Sequence, residues 1–296
     1  MSLGVEFRPS TDTIYPPFKK GRYLEEAFYD FYKNESPGAT SRIYIPVFWT
    51  NLQTDPEFLS KKPALQEALT AWFSNFPDDQ KYFAVVQHDD GILFTIPKNT
   101  LVFGACGGDI PIPLIYEDTD FKLEREEQIP FSDKGYLVTF IGAATHDVRK
   151  RMIEYSKKNA QWFICENENW TPDIPKTKAE RFIDLVKESK FSLTPRGYGR
   201  SSFRFFEVFK LGSIPIYIYD DIEWLPYKEC IDYKKICISI HISELEHLQD
   251  KLHITEDEYA AYMESYNKIK HMFTMDGVNQ YIKSYLLSSV NNGGCS

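Results

Sequence analysis

The sequence predicts an α/β protein. Its 296 residues are 43% hydrophobic and 16% aromatic, a composition that excludes a disordered protein. A chain of this length can bury the cores of two ordinary domains. In the second half, short apolar runs alternate with helical segments of roughly ten residues, which is typical of a parallel sheet covered by helices on both faces.

The second half contributes most of this prediction, because successive β runs there are separated by helices. The predicted strands span 136–141, 161–165, 190–194, 214–219 and 235–240, and the predicted helices span 147–158, 176–188, 201–211 and 243–251. Ligands of such sheets bind beyond the carboxyl ends of the strands. The residues expected at that edge are Gly142, His146, Arg149, the segment 195–202 and Asp220–Asp221.

The first half predicts a smaller α/β domain. Its predicted strands are 42–49, 81–87, 92–96, 100–104 and 112–116, with a helix at 62–76. Residues 1–40 are expected to wrap over a surface, and the charged segment 117–134 is the predicted linker. Of two final helices, 255–273 and 276–288, at least one is expected to pack against the N-terminal domain. The predicted domains are therefore an N-terminal α/β domain over 1–130 and a C-terminal domain over 131–275. Residues 276–296 are predicted to form a helix that packs back against the N-terminal domain.

Charge and cysteine usage argue against several classes of protein. The formal net charge of −9 does not suit a general binder of nucleic acid or anionic membranes, since both require a basic surface. No stretch approaches the roughly 18 apolar residues of a membrane span, and the first residues do not resemble a signal peptide. The five cysteines are scattered without a C-x-x-C pair, so we expect reduced thiols and a cytoplasmic protein.

The segment 189–215 carries the clearest functional pattern. A strand ends at Pro195, the loop 196–200 follows, and two serines start a helix. A helix N-terminus has unpaired N–H groups and the positive end of the helix dipole, so it binds phosphate readily. Arg204 and Glu207 lie on one face of this helix because they are three residues apart. A cation for a diphosphate beside a carboxylate for ribose hydroxyls predicts a nucleotide site.

Ordinary structure accounts for each of these features separately. Serine is frequent at helix starts whatever the function, and an Arg/Glu pair at this spacing is usually a solvated surface pair. The glycines do not complete a G-x-G-x-x-G pattern, because Ser202 stands where the third glycine would be. The spacing alone therefore leaves both interpretations open.

The same segment resembles the signature of the exostosin-like glycosyltransferases, the family of heparan sulfate polymerases and many plant cell-wall transferases. That signature is S-x-F-C-L-x-P-x-G, four residues, S-x-R-x-x-E-A, and then G-C-x-P-V. Ten positions match without a gap: Ser189, Phe191, Leu193, Pro195, Gly197, Ser202, Arg204, Glu207, Gly212 and Pro215. The departures are Ser192 and Ser213 where cysteines are common, Val208 for alanine and Ile216 for valine. Upstream, 136–142 followed by 145–149 resembles the family's strand-Gly-loop-Arg element, which faces the donor phosphates.

The resemblance implies two Rossmann-like domains facing a cleft, the GT-B architecture, with a nucleotide sugar on the second domain. It implies inverting transfer from a UDP-sugar to a hydroxyl of a glycan acceptor, with no cofactor and no obligatory metal. Likeness to soluble virus-encoded members suggests UDP-xylose as the donor and, for such a protein, the host cytoplasm as its location. The expected partners are the nucleotide sugar and the glycan. A non-catalytic homologue that binds carbohydrate or stabilises a complex is the alternative.

By this resemblance, Arg204 binds the donor diphosphate and Glu207 binds the ribose hydroxyls. Arg149 and Arg196 are further phosphate candidates, although a surface arginine is the alternative for each. The other donor-site candidates shape the loop or offer N–H and hydroxyl groups: Gly142, Pro195, Gly197, Tyr198, Ser201 and Ser202. Tyr198 and Trp224 are the aromatic residues that we expect to stack on a sugar, whereas Gly212 is interpreted as a helix C-cap.

An inverting transfer needs a base that takes the proton of the acceptor hydroxyl. Asp89, His88 and Asp90 follow a buried strand of the first domain and precede a glycine, where we expect that base. An Asp-Asp-Gly turn joining two strands explains the same residues equally well. A neighbouring carboxylate would raise the basicity of His88.

The tripeptide Asp118-Thr119-Asp120 matches D-x-D, the pattern with which metal-dependent sugar transferases hold Mn²⁺ or Mg²⁺ on a diphosphate. It falls in the charged linker rather than in the nucleotide half, so we predict no metal site. A metal-dependent D-x-D transferase is the second alternative, and inhibition by EDTA with recovery in Mn²⁺ would identify it.

Overall fold

The computed structural model describes residues 3–9, 21–34, 40–117, 123, 126–169, 171 and 174–291, with side chains as far as 288. The chain forms two compact units. Unit 1 comprises Met1–Thr13, Arg22–Glu117 and Thr274–Ser296, and unit 2 comprises Ile14–Gly21 and Asp118–Phe273. Each unit contains one parallel sheet, which confirms the predicted α/β class with two Rossmann-like domains.

Unit 1 is built on a four-stranded parallel sheet with the order β1-β2-β3-β4. Its strands are β1 (Arg42–Tyr44), β2 (Lys81–Val86), β3 (Thr100–Gly104) and β4 (Ile110–Pro111). Its helices are α1 (Leu24–Asn34), α2 (Trp49–Gln53), α3 (Phe58–Phe73) and, from the end of the chain, α8 (Met275–Asn291). Helix α8 packs on α1 and β3, where the ring of Tyr285 lies 5.5 Å from that of Phe103.

Helix α1 corrects the expectation that residues 1–40 only wrap over a surface. Leu24, Ala27 and Phe28 are buried in unit 1, and their i, i+3, i+4 spacing is that of a helix face. The signal was present in the sequence. It was obscured by the high density of Tyr and charged residues around it.

Two predicted strands of unit 1, 92–96 and 112–116, are wrong. The N–H groups of Leu93 and Thr95 donate to the side-chain oxygens of Gln53 and Gln66, at 2.8 and 2.7 Å, so no neighbouring strand receives them. Strand β4 lies at 110–111 instead and ends among prolines, which lack the N–H that a ladder requires. The strand predicted over 42–49 is shortened to β1, after which the Ile45 N–H still donates to the carbonyl of Phe83 at 2.9 Å.

Unit 2 contains a five-stranded parallel sheet with the order β6-β5-β7-β8-β9. Its strands are β5 (Tyr136–Ala143), β6 (Trp162–Asn167), β7 (Ser189–Pro195), β8 (Ile214–Tyr219) and β9 (Ile238–His241). Its helices are α4 (Asp147–Ser156), α5 (Lys176–Lys187), α6 (Phe203–Lys210) and α7 (Glu256–Ile269). The alternation predicted for the second half is therefore confirmed, except that 242–251 forms 3₁₀ turns where a helix was expected over 243–251.

The strand order creates a topological switch point between β5 and β7. From β5 the chain crosses to β6 on one side and then returns to pair β7 on the other side, with Val138 opposite Phe191. Crossovers that leave in opposite directions open a crevice beyond the carboxyl ends of the two strands, and ligands bind there. In unit 2 this crevice lies where β5 ends at Ala143 and β7 ends at Pro195.

Both faces of the unit 2 sheet are covered, as a parallel sheet requires. One face packs a cluster that includes Phe140, Met152 and Ile216, and the other packs Ile141, Phe182 and neighbours. These two cores hold the strand ends in fixed positions.

Cys106, Cys165 and Cys237 carry free thiols, and the cytoplasmic location stays a prediction. Across the part of the chain that the structure describes, no helix combines the length and apolarity needed to cross a bilayer.

Candidate functional site

The loop before α6 is closed by its own backbone. The N–H of Gly197 donates to the carbonyl of Ser201 at 2.9 Å, and both Ser201 and Ser202 are buried. Ser202 is the N-cap in an extended conformation, and its hydroxyl makes no cap hydrogen bond. Helix α6 has Leu211 as its C-cap, and the next residue, Gly212, has φ of 73° and donates to the carbonyl of Phe209, so the glycine predicted to end this helix does so one residue past the cap.

Arg204 lies across the end of β5. A Cβ atom placed on Gly142 would lie 2.8 Å from Nη2 and 3.0 Å from Cζ of Arg204, so a glycine is needed for the guanidinium to approach this closely. The rings of Phe140 and Phe182 lie 5.5 and 5.9 Å from the same Cζ. The strand-Gly-loop-Arg element and the 189–215 segment thus meet at the switch point.

The guanidinium of Arg204 forms no ion pair with a described side chain, and its Nε is buried without a hydrogen bond. Burial lowers the pKa of Arg204, and the charge of buried Glu207, one turn along α6, opposes that shift without cancelling it. A desolvated charge without a partner is unfavourable, so an anion that reached this group would gain strong, charge-assisted hydrogen bonds.

Arg149 brings a second guanidinium to the same strand end. Its Nε donates to the carbonyl of Arg196 at 2.9 Å and its Nη1 to the carbonyl of Ala143 at 3.3 Å. Only 5% of Arg149 is exposed, so the surface-arginine interpretation is wrong. Two guanidinium groups packed on the adjacent residues Gly142 and Ala143 make the end of β5 strongly attractive to an anion.

Arg196 is also buried, but carboxylates already surround it. Its Nη1 lies 2.7 Å from Oδ1 of Asp220 and 3.0 Å from Oδ1 of Asp221, and its Nη2 donates to the carbonyl of Tyr198 at 3.0 Å. Asp221 also accepts from Nε of Arg200 at 2.7 Å. The structure therefore makes Arg196 an anchor between the end of β7 and the loop after β8, and its phosphate role stays a prediction.

The aromatic residues expected to stack on a sugar differ from each other. Tyr198 is 62% exposed in the loop before α6, where its ring is accessible. Trp224 is only 6% exposed, its backbone N–H donates to the hydroxyl of Tyr217, and the guanidinium of Arg200 lies 5.7 Å from the centre of its ring. Trp224 is thus a packing residue, contrary to the expectation. Pro195 is buried where β7 ends, opposite Ile218 of β8.

The proposed base residues lie in unit 1, after β2, and form a turn. The Gly91 N–H donates to the carbonyl of His88 at 2.9 Å, and Gly91 has φ of 68°. Asp90 N–H donates to Nδ1 of His88 at 3.2 Å, and the Cys106 thiol donates to Oδ1 of Asp89 at 3.4 Å. This turn does not form a hairpin, because β2 and β3 are parallel neighbours.

The electrostatics of His88 reverse the expectation. Burial lowers the pKa of His88 more than the charges of Asp89 and Asp90 raise it. Since Nδ1 accepts a hydrogen bond, the proton of the neutral ring is on Nε2. In this state the lone pair of Nδ1 is engaged by the Asp90 N–H, and the role of His88 as base stays a prediction. Asp89 and Asp90 are exposed, and their role as base stays a prediction.

A buried acid, Glu25, was missed in the sequence. Its Oε1 accepts from the Thr50 hydroxyl at 2.6 Å and from the N–H groups of Thr50 and Gln87 at 3.2 and 2.9 Å. Its Oε2 is buried without a hydrogen-bond partner, and burial raises the pKa of Glu25. Glu25 thereby holds Gln87, the residue before His88. A carboxylate next to the apolar face of a helix, beside Leu24, was the available signal.

The D-x-D tripeptide, 118–120, lies outside the described residues. Within the described ranges, no group of three His, Cys, Asp or Glu side chains converges as a metal site. The metal-dependent alternative therefore stays a prediction.

Comparison with known proteins decides the family. The model of the Exostosin GT47 domain matches residues 96–256, more than half of the chain. This chain belongs to the Exostosin GT47 family. It is 27% identical over 154 residues to an Exostosin-1 homolog of Caenorhabditis elegans, covering 45% of this chain and 40% of that protein. It is 26% identical over 148 residues to a probable glycosyltransferase of Arabidopsis thaliana, covering 49% of this chain and 30% of that protein. The chain spans less than half the length of these relatives.

The exostosin match covers the two parts of the site unequally. It includes the whole arginine cluster at the switch point, with Arg149, Arg196, Arg204 and Glu207, and it begins after the turn at His88. Unit 2 therefore carries the family signature, whereas the base candidates lie outside the matched range.

Solved structures of glycosyltransferases show a weaker likeness to this exostosin chain. WaaG, a glycosyltransferase involved in lipopolysaccharide biosynthesis, is 12% identical with a TM-score of 0.37 over 87% of this chain and 80% of that one. AviGT4, a glycosyltransferase involved in avilamycin A biosynthesis, is 10% identical with a TM-score of 0.36 over 96% of this chain and 95% of that one. TM-scores below 0.5 do not establish a shared fold, so the fold assignment rests on the two parallel sheets of this chain.

Proposed function

We propose that this chain is a glycosyltransferase that moves a sugar from a UDP-sugar to a hydroxyl of a glycan acceptor. The observation that carries the proposal is Arg204, a guanidinium with a buried Nε and no anionic partner among the described residues, held on Gly142 at the switch point. The position suits a diphosphate, because parallel sheets bind ligands at such crevices and arginine matches phosphate geometry. Membership of the exostosin family supports the same chemistry.

In this proposal Arg204, Arg149 and the N–H groups at the start of α6 stabilise the leaving diphosphate. The acceptor oxygen forms a bond to the anomeric carbon from the opposite face as the bond to the phosphate oxygen breaks, which inverts the configuration. Negative charge grows on the leaving UDP, where preorganised donors are most effective. The acceptor proton passes to a base, for which Asp89, His88 and Asp90 are the candidates, and no metal is required. Glu207 accepts hydrogen bonds from the ribose hydroxyls.

The first experiment is a UDP-release assay with a panel of UDP-sugars, beginning with UDP-xylose, with and without a glycan acceptor. We expect activity that survives EDTA and that is lost in Arg204→Ala and Glu207→Ala. The control is Arg151→Ala, because Arg151 is an exposed arginine of the same unit.

Three results contradict the proposal in different ways. Binding of a UDP-sugar without turnover would favour the non-catalytic homologue. Loss of activity in EDTA with recovery in Mn²⁺ would favour the D-x-D mechanism. Wild-type turnover by Arg204→Ala would remove the main support.

A further inference from the structure

Two histidines lie at the carboxyl edge of the unit 2 sheet, and their hydrogen bonds differ. His241 ends β9 and uses both ring nitrogens: Nε2 contacts the carbonyl of Asp220 at 2.6 Å and Nδ1 contacts the hydroxyl of Ser243 at 2.7 Å. His146 is the N-cap of α4, and its Nδ1 accepts from the Val148 N–H at 3.3 Å. No described residue hydrogen-bonds Nε2 of His146.

The cap hydrogen bond determines where the proton of His146 lies. A ring nitrogen that accepts a backbone N–H carries no proton, so the neutral ring is protonated on Nε2. His146 is partly exposed, and Nε2–H is therefore available to a ligand oxygen.

The charged groups that face His146 are Arg196 from the end of β7, Asp220 from the end of β8, and Asp147 and Arg149 from α4. Burial lowers the pKa of His146 first, Arg196 and Arg149 lower it further, and Asp220 and Asp147 only partly oppose the shift.

His146 belongs to the same strand end as the arginine site. The loop that carries it starts at Ala143, whose carbonyl accepts from Arg149, and Arg149 follows His146 in the first turn of α4. Arg149 in turn donates to the carbonyl of Arg196 at the end of β7. His146 therefore borders the switch point between β5 and β7 and contributes a hydrogen-bond donor there.

We propose that His146 is a further donor-site residue whose Nε2–H hydrogen-bonds a phosphate oxygen of the nucleoside diphosphate. The inference rests on the proposed function of unit 2. A residue that only capped the helix would not contribute to the affinity for the diphosphate, whereas a hydrogen-bond donor to a phosphate oxygen would.

The test is calorimetry of UDP binding to the wild-type chain and to His146→Asn. For His146→Asn we expect the affinity for UDP to fall about tenfold, the effect of one hydrogen bond to a charged group. Asparagine is chosen because its side chain also caps helices, which preserves the start of α4.

The control is His241→Asn, which changes a histidine at the same edge whose nitrogens are both hydrogen-bonded, and which should leave the affinity for UDP unchanged. Melting temperatures of both variants verify that they are folded. If His146→Asn binds UDP with wild-type affinity, this inference is wrong while the proposed function stands. If the wild-type chain does not bind UDP at all, both are overturned.

Discussion

Replacing Arg204 by methionine should weaken UDP binding and stabilise the empty protein at the same time. Methionine keeps an unbranched side chain between the rings of Phe140 and Phe182 but removes a charge that has no anionic partner in the described structure. Hydrogen bonds to charged groups contribute about 1.5–3 kcal/mol each, so losing one lowers the UDP affinity roughly ten- to hundredfold. Burial disfavours this charge more than Glu207 compensates it, so removing the charge stabilises the protein without ligand by about 1 kcal/mol, or about 2 °C in Tm.

The assay is thermal unfolding with and without UDP. At a UDP concentration of about 100 times the wild-type Kd, binding stabilises the wild-type protein by about 2.7 kcal/mol. For a variant that binds a hundredfold more weakly, the same concentration stabilises by about 0.4 kcal/mol. Arg151→Met, at an exposed arginine of α4, is the matched control and should change neither the Tm without ligand nor the shift in Tm on adding UDP. A variant at Arg204 that keeps the wild-type UDP shift, or that is less stable than the wild type without ligand, would refute this reasoning.

Three further predictions concern single residues. Gly142→Ala should lower kcat/KM for the donor at least about tenfold, because its Cβ would displace the Arg204 guanidinium, whereas Gly135→Ala, which meets nothing within 4 Å, should not. Burial lowers the pKa of Lys134 to about 8. The free energy of unfolding of the wild type should therefore rise by up to about 3 kcal/mol relative to that of Lys134→Met as the pH increases from about 8 to 10.5. The same pH dependence of unfolding free energy in both proteins would contradict this. Burial raises the pKa of Glu25, so the wild type should lose stability relative to Glu25→Gln as the pH rises above 4.5 towards the folded pKa. Denaturant titrations at several pH values measure this, and a pH-independent difference in unfolding free energy between the two proteins would contradict it.

The sequence alone predicts most of unit 2, because its strands and helices are regular and its core is apolar. The predicted bounds of strands β5 to β8 and helices α4 to α6 agree with the structure within a few residues, and Gly142 and Arg204, both predicted for the donor site, lie next to each other. Family resemblance contributed the roles of these residues, since an arginine and a glutamate three apart also describe an ordinary surface pair.

Other features depend on contacts that are distant in sequence. The carboxylates that surround Arg196 follow the next strand, 24 and 25 residues later, and nothing in the loop itself indicates them. The direction of the His88 pKa shift depends on whether burial or neighbouring charge dominates, and only the folded structure decides this. The segment 92–96 has a β-like composition, yet glutamine side chains from α2 and α3 bind its N–H groups.

A crystal structure of the chain with UDP tests the central claim most directly. We expect the diphosphate at the carboxyl ends of β5 and β7, with a phosphate oxygen within hydrogen-bond distance of the Arg204 guanidinium. UDP bound elsewhere, or a guanidinium still without an anion when UDP is bound, would contradict the account.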